Sequence, residues 1–269
     1  ALALNVITPD YSIFDPGFFQ LKNSSHLYRD WWRSGHGWIN LTRALEQSCD
    51  VYFYTLATKL GIQHLSVALK NFGLGSKTQI DSKEELPGLL PTPEWKKRVQ
   101  GKAWYPGDTV ITGIGQGSML STPLQIAQAT AILAQRGQGM QPTLLLNSSP
   151  RPLKPVNFSP ATWDIVINGM QRVISDGTGR KYFNKNTPYT IAGKTGTVQV
   201  FSLKQQKYDA NKLPKHLHDH SWFIAFAPVE KPHIAVAVIL EHSKGAGNIA
   251  KKIIDTYLGV EDFHEPLSN

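Results

Sequence analysis

The stretch Tyr189-Thr-Ile-Ala-Gly193-Lys-Thr-Gly-Thr197-Val-Gln199 reads as a single extended strand. Thr190, Ile191, Thr195, Thr197 and Val198 are β-branched, a composition that favours the pleated backbone. Gly196 interrupts it, as glycine does where something must lie close against a strand. Two further strands follow. Residues 221–227 form the second, ended by Pro228, and residues 234–241 are nearly all β-branched or apolar, as in a strand covered on both faces. A helix over about 247–258 closes the chain. Three strands in succession predict an antiparallel sheet packed with helices.

Upstream the pattern is helical. Residues 41–60 read as one helix, with Asn40 or Thr42 as N-cap and Gly61 just past its end. A short second helix over 64–72 ends at Gly73 and Gly75. Thr122-Pro123 and Ser159-Pro160 each supply an N-cap followed by proline at the first helical position, predicting helices to about 135 and 175. Residues 5–40 and 76–112 read as mostly loop. The chain is therefore expected to be α+β, an antiparallel sheet beside a helical region, in one domain over residues 1–269.

Composition narrows the partners. The formal charge is +8 at pH 7, and 41% of the 269 residues are hydrophobic. The basic residues are scattered, with only short clusters such as Lys96-Lys97-Arg98, so nucleic acid is not an expected partner. A basic balance instead favours an anionic surface, such as membrane lipid or a cell-wall polymer. No run approaches the ~18 apolar residues that a transmembrane helix needs. Ala1 to Asn5 reads as the end of a helix rather than a signal peptide. One cysteine allows no internal disulfide.

Two elements carry chemistry. Lys194-Thr-Gly196 lies on the strand, and Ser48-Cys49-Asp50 lies about 145 residues earlier in the helical run. A solvated turn could produce a Lys-Thr-Gly match, but together these are two of the three motifs of the serine acyltransferases that recognise penicillin. The third, Ser-x-x-Lys, carries the nucleophile, and no serine here has lysine three residues later.

Further segments extend the likeness: Gln47-Ser-Cys-Asp-Val-Tyr-Phe-Tyr54, Gly115-Gln-Gly117 with Thr122-Pro-Leu-Gln-Ile-Ala127, Asp176-Gly-Thr-Gly179, and Asp219-His-Ser-Trp-Phe223 with Ala227-Pro228. With Ala192-Gly-Lys-Thr-Gly-Thr197, the chain resembles the transpeptidase domain of class B penicillin-binding proteins. It is most similar to the branch that serves the elongation machinery of Gram-negative rods. The resemblance implies the penicillin-binding, β-lactamase-like fold. It implies a periplasmic D,D-transpeptidase at the inner membrane, acting on the D-Ala-D-Ala end of a peptidoglycan stem peptide or its lipid-linked precursor. It also implies acylation by β-lactams, membrane proteins of the elongation machinery as partners, and a Ser-x-x-Lys element preceding Ala1.

The implied roles follow from chemistry. A serine nucleophile must lose its proton to a base. Ser48 would relay that proton and Asp50 would fix the base. Lys194 would add positive charge beside the relay. Thr195 and Thr197 would offer hydroxyls to the substrate carboxylate, Gly196 would leave room for substrate, and the Thr197 amide would face the oxyanion. A carboxypeptidase, a β-lactamase or a non-catalytic penicillin sensor remain as alternatives.

Cys49, Asp15, Asp30 and His36 form a second set. A lone cysteine is usually a small buried hydrophobe, yet one thiol, one imidazole and two carboxylates can complete a tetrahedral zinc site. Their spacings of 15, 6 and 13 residues match no zinc finger. The resemblance implies such a structural Zn²⁺ on these four residues, pinning residues 5–40 against the helix of Ser48. His216, His218 and His220 read as a solvated rim, and Gly113-Ile-Gly115-Gln-Gly117 lacks the context of a nucleotide loop. Trp31, Trp32 and Trp38 read as a partner surface or a packed satellite core.

Overall fold

The protein is described by a computed structural model covering residues 1–183, 186–200 and 214–260. The segment expected to be loop between residues 5 and 40 holds four short strands. β1 (Ser12–Asp15) pairs antiparallel with β4 (Gly37–Asn40), and β2 (Phe18–Gln20) pairs with β3 (Leu27–Arg29). At three or four residues each, they are too short to show alternation in a stretch dense with turn residues.

Helix α1 (Leu41–Gln47) starts at Asn40, whose side chain accepts from Arg43 N–H. The single helix expected over 41–60 is broken at Ser48, which ends α1 in the left-handed conformation at φ 57°, ψ 44°. Helix α2 (Asp50–Asn71) then begins at Cys49, whose sulfur accepts from Tyr52 N–H. Gly61, at φ 72°, kinks α2 where the first helix was expected to end. Tyr52, Val51, Leu41, Ala44 and Ile39 build the core of this half together with Val110.

The segment 76–112 is more ordered than its prolines indicate. Thr92-Pro93 and Tyr105-Pro106 start α3 (Pro93–Gln100) and α4 (Pro106–Thr112), so these prolines occupy first-turn positions rather than breaking helices. Helices α5 (Pro123–Ala134) and α6 (Pro160–Ser175) fall where Thr122-Pro123 and Ser159-Pro160 place them.

The sheet contains β5 (Ala192–Val198), β6 (His220–Ala227) and β7 (Ile234–Leu240), antiparallel, with β6 central. Thr195 lies opposite Phe223, and Phe223 opposite Val238. Alternation on β6 divides its side chains between two cores. Phe223, Ala225 and Ala227 meet Val173 of α6 and Ala250 and Ile254 of α7 (Ala246–Leu258). Phe226 and Ile224 meet Ile132 of α5 with Trp163, Ile167 and Met170 of α6. The sheet is therefore covered on both faces, as the apolar run of β7 predicts. Full burial of Phe223, Phe226 and Ile254 stabilises the sheet by about 1.5–3 kcal/mol per side chain. The outer edge of β5 has no partner strand among the described residues, and it faces the Ser48 turn. No helix among the described residues is long and apolar enough to cross a membrane.

Candidate active site

Ser48 sits on the two-residue turn between α1 and α2, which its left-handed backbone permits. That conformation costs a non-glycine residue on the order of 1 kcal/mol. It turns Ser48 toward β5 while the neighbouring Cys49 and Asp50 face residues 12–36. The Lys194 ammonium donates to Ser48 Oγ across 146 residues of sequence. It also donates to the Thr195 carbonyl at 3.0 Å. Burial pulls the Lys194 ammonium down to about 8, with the Asp50 charge acting in the opposite direction.

The edge of β5 is set by strand geometry. Gln116 Nε2 donates to the Thr197 carbonyl at 3.1 Å, and Lys194 reaches that of Thr195, so both carbonyls point away from β6. In an antiparallel strand a residue's N–H and C=O point the same way. Thr195 and Thr197 therefore present their amides as well as their carbonyls along the open edge, where an added strand would pair. Gly196 has a second role besides leaving room. A Cβ there would sit 3.1 Å from Trp222 Cβ, its cross-strand neighbour, so sheet packing also limits its size.

Asp50 differs from its expected role. Its carboxylate accepts from Trp31 N–H at 3.0 Å and makes no hydrogen bond to Lys194 or Ser48. Burial, and then the Asp30 charge, raise it to about 7. Asp50 thus acts on Lys194 through charge alone and ties the loop to the start of α2. Trp31 locks the same junction, its indole N–H donating to the Gln47 carbonyl at 3.0 Å. Trp31, Trp32 and Trp38 are 50%, 51% and 70% exposed, which excludes the satellite core.

Several contributors escaped the sequence reading. Thr178 Oγ1 lies 3.3 Å from Ser48 Oγ and 2.7 Å from Thr195 Oγ1. Its N–H donates to the Glu46 carbonyl at 3.2 Å, and buried Glu46 accepts from Arg172 Nε at 2.6 Å. Gly177 allows this approach, because a Cβ there would lie 2.2 Å from Glu46 O. A hydroxyl between two glycines, in Asp176-Gly-Thr-Gly179, was the available signal. Gln116, between Gly115 and Gly117, was another.

Asp15, Asp30, His36 and Cys49 converge, with one ligand atom from each lying within 4.8 Å of the others. His36 Nδ1 is 2.8 Å from Asp15 Oδ2 and 3.6 Å from Asp30 Oδ1, and Cys49 Sγ is 3.4 Å from Asp15 Oδ2. Backbone amides aim the ligands: Gly17 and His36 N–H bond Asp15, while Trp32 and Val51 N–H bond Asp30. Burial works against the Asp15 charge, yet hydrogen bonds from His36 and Gly17 hold its carboxyl below the usual range. Burial, with both carboxylates, pushes the Cys49 thiol well up. Two carboxylates, each at most 1% exposed, in contact with one imidazole and one thiol, fit a tetrahedral divalent cation of the zinc type. Of the three rim histidines, His216 lies in a 3-10 turn and His220 in β6, so they do not share one extended segment. His220 Nδ1 accepts from His242 N–H at 3.0 Å.

Residues 1–258 match the family model for the penicillin binding protein transpeptidase domain. The chain is 42% identical over 98% of its length to peptidoglycan D,D-transpeptidase MrdA of Haemophilus influenzae, and 41% identical over 95% to that of Escherichia coli. It spans 44% and 43% of those two proteins. Among solved structures, Pseudomonas aeruginosa PBP2 in complex with WCK 5153 superposes with a TM-score of 0.85 at 40% identity, covering 97% of this chain and 58% of that one. PBP2 of Helicobacter pylori, in complex with MreC, gives 0.85 at 31% identity, covering 96% and 49%. By a match that takes in all seven helices and all seven strands of the described residues, the chain belongs to the family of penicillin-binding protein transpeptidase domains.

Proposed function

We propose that this chain is the transpeptidase part of a peptidoglycan D,D-transpeptidase that cross-links stem peptides through an acyl-enzyme and is acylated by β-lactams. The observation that carries this reading is the Lys194–Ser48 contact, which joins two motifs that lie 146 residues apart in the chain. The 269 residues hold no Ser-x-x-Lys, so the attacking serine is one that the rest of the protein supplies.

The steps follow from the groups present. A substrate lies along the open edge of β5 and pairs with Thr195 and Thr197. Its terminal carboxylate meets their hydroxyls and the field of Lys194. As the serine attacks the carbonyl, the Thr197 amide donates to the oxygen that gains charge. The proton of the attacking serine passes to a base that the rest of the protein supplies and returns through Ser48 to the leaving nitrogen, while Lys194, which stays charged, holds Ser48 Oγ in place for that transfer. The acyl-enzyme is then resolved by an amine in cross-linking.

The same proposal includes one structural Zn²⁺ held by Asp15, Asp30, His36 and Cys49. A bound ion would neutralise the two buried carboxylates and fasten β1 and β4 to the start of α2. Four protein ligands leave no open position for substrate, so its contribution is to folding. The relatives' names and the MreC complex support an elongation-type enzyme on the periplasmic face of the inner membrane, with membrane proteins of that machinery as partners.

The test is labelling of the full-length protein by a fluorescent penicillin. The adduct should map by mass spectrometry to the serine of a Ser-x-x-Lys element, and the present chain alone should remain unlabelled. A stable adduct on a serine within these 269 residues would refute the reading.

A further inference from the structure

Four groups form a continuous chain that leaves β5 at Lys194, passes the Ser48 turn and returns to β5 at Thr195. Lys194 Nζ donates to Ser48 Oγ, Ser48 Oγ lies 3.3 Å from Thr178 Oγ1, and Thr178 Oγ1 lies 2.7 Å from Thr195 Oγ1. The direction of this chain is fixed at one end, because an ammonium can only donate. In the arrangement that gives each hydroxyl one accepted and one donated bond, Ser48 directs its hydrogen to Thr178, Thr178 directs its own to Thr195, and the Thr195 hydroxyl keeps a hydrogen to offer to a ligand at the edge of β5. Donors aligned in this way polarise one another.

Thr178 is held for this task by its backbone. The turn after α6 is closed by Gly177 N–H on the Arg172 carbonyl and Gly179 N–H on the Val173 carbonyl, both at 2.9 Å. Thr178 N–H docks on Glu46 O, and Arg172 holds the Glu46 side chain. The loop thus ties α6, the end of α1 and β5 at one hydroxyl.

We infer that Thr178 is a positioning residue that carries the polarising effect of Lys194 through Ser48 to Thr195, and so makes the Thr195 hydroxyl a donor to the carboxylate of the incoming acyl donor. This inference rests on the acyl-transfer reading. It adds a specificity rule: Thr178 matters in proportion to the negative charge on the group that Thr195 meets.

The experiment uses the full-length protein, a penicillin, and the methyl ester of the same penicillin. Thr178→Val should lower the second-order acylation constant for the free acid by roughly 10- to 100-fold, the size of one lost hydrogen bond to a charged group. For the ester it should lower that constant by less than about threefold. Thr178→Ser keeps the hydroxyl and should restore the free-acid rate to within about threefold. Thr178→Ala, run beside the valine variant, should show the same preference without a bulkier side chain, and thermal melts confirm folding of each. Equal losses on acid and ester, or no loss on either, would overturn the inference. A wild-type protein that reacts with neither compound would overturn the acyl-transfer reading, and this inference with it.

Discussion

Replacing Gly177 by alanine tests the junction on which the site is built. The new methyl would sit 2.2 Å from Glu46 O, 2.9 Å from the Glu46 carbonyl carbon and 2.9 Å from Val173 Cα. All three are backbone atoms, so no side-chain rotation relieves the clash. The first distance is roughly 1 Å inside van der Waals contact, and the loop must retreat by a similar amount. That movement breaks the bond from Thr178 N–H to Glu46 O, which is already 3.2 Å long. Overpacking costs about 1–3 kcal/mol and the lost hydrogen bond about 1 kcal/mol, for a total near 2–4 kcal/mol. For a chain of this size the melting temperature should fall by roughly 5–10 °C. The displacement also withdraws Thr178 from Ser48 and Thr195, and a 1 Å misplacement at a reacting site can cost about 100-fold in rate. Circular dichroism melts and penicillin acylation kinetics report the two effects separately. A Gly177→Ala protein that melts within about 1 °C of wild type would show that the contact is not tight, and the reasoning would fail.

Three further outcomes are expected. Lys194→Ala in the full-length protein should slow acylation by about 100-fold or more, measured by stopped-flow with a chromogenic β-lactam; a loss under threefold would remove Lys194 from the site. The acylation rate should decline as pH rises through about 8, where Lys194 loses its proton. Because the folded protein sheds that proton near 8 and the unfolded chain only near the ordinary lysine value, this group's penalty on folding is present in full below about 8 and is relieved progressively between those two values; a profile flat from pH 7 to 10 would contradict both statements. Metal analysis of protein purified without chelators should find one zinc per chain, and Cys49→Ser should abolish it and lower the melting temperature; full zinc content in Cys49→Ser would refute the ligand set.

The legible parts of the chain were those whose signals are local. Thr122-Pro123 and Ser159-Pro160 fix helix starts because an N-cap and an N1 proline act within one turn. The three strands of the main sheet announce themselves through β-branched and aromatic composition bounded by turn residues. The illegible parts depend on distant partners. The break at Ser48 lies within good helical sequence, and the packing of the 176–179 turn against Glu46 is what gives it meaning. Asp50 illustrates the limit: the motif places it in the site, but its hydrogen bond comes from Trp31, a residue the sequence offers only as partner surface or satellite core. Of the zinc set, the residues are visible in sequence, whereas their convergence is a property of the β1–β4 pairing, which strands of four residues do not reveal.

The open edge of β5 carries a hazard as well as a function. An unpaired strand is a template for any extended chain, including another copy of the same sheet, and natural proteins blunt such edges with short length and lysine. β5 has seven residues, and Lys194 stands on it with Thr195 and Thr197 on either side of Gly196. Backbone pairing along that edge is blind to side-chain identity, so under the proposed function discrimination between a stem peptide and an arbitrary peptide would fall to the charge at its end. Lys194 would then serve twice: the cation that meets a terminal carboxylate is also the kind of residue that discourages one sheet edge from stacking on another.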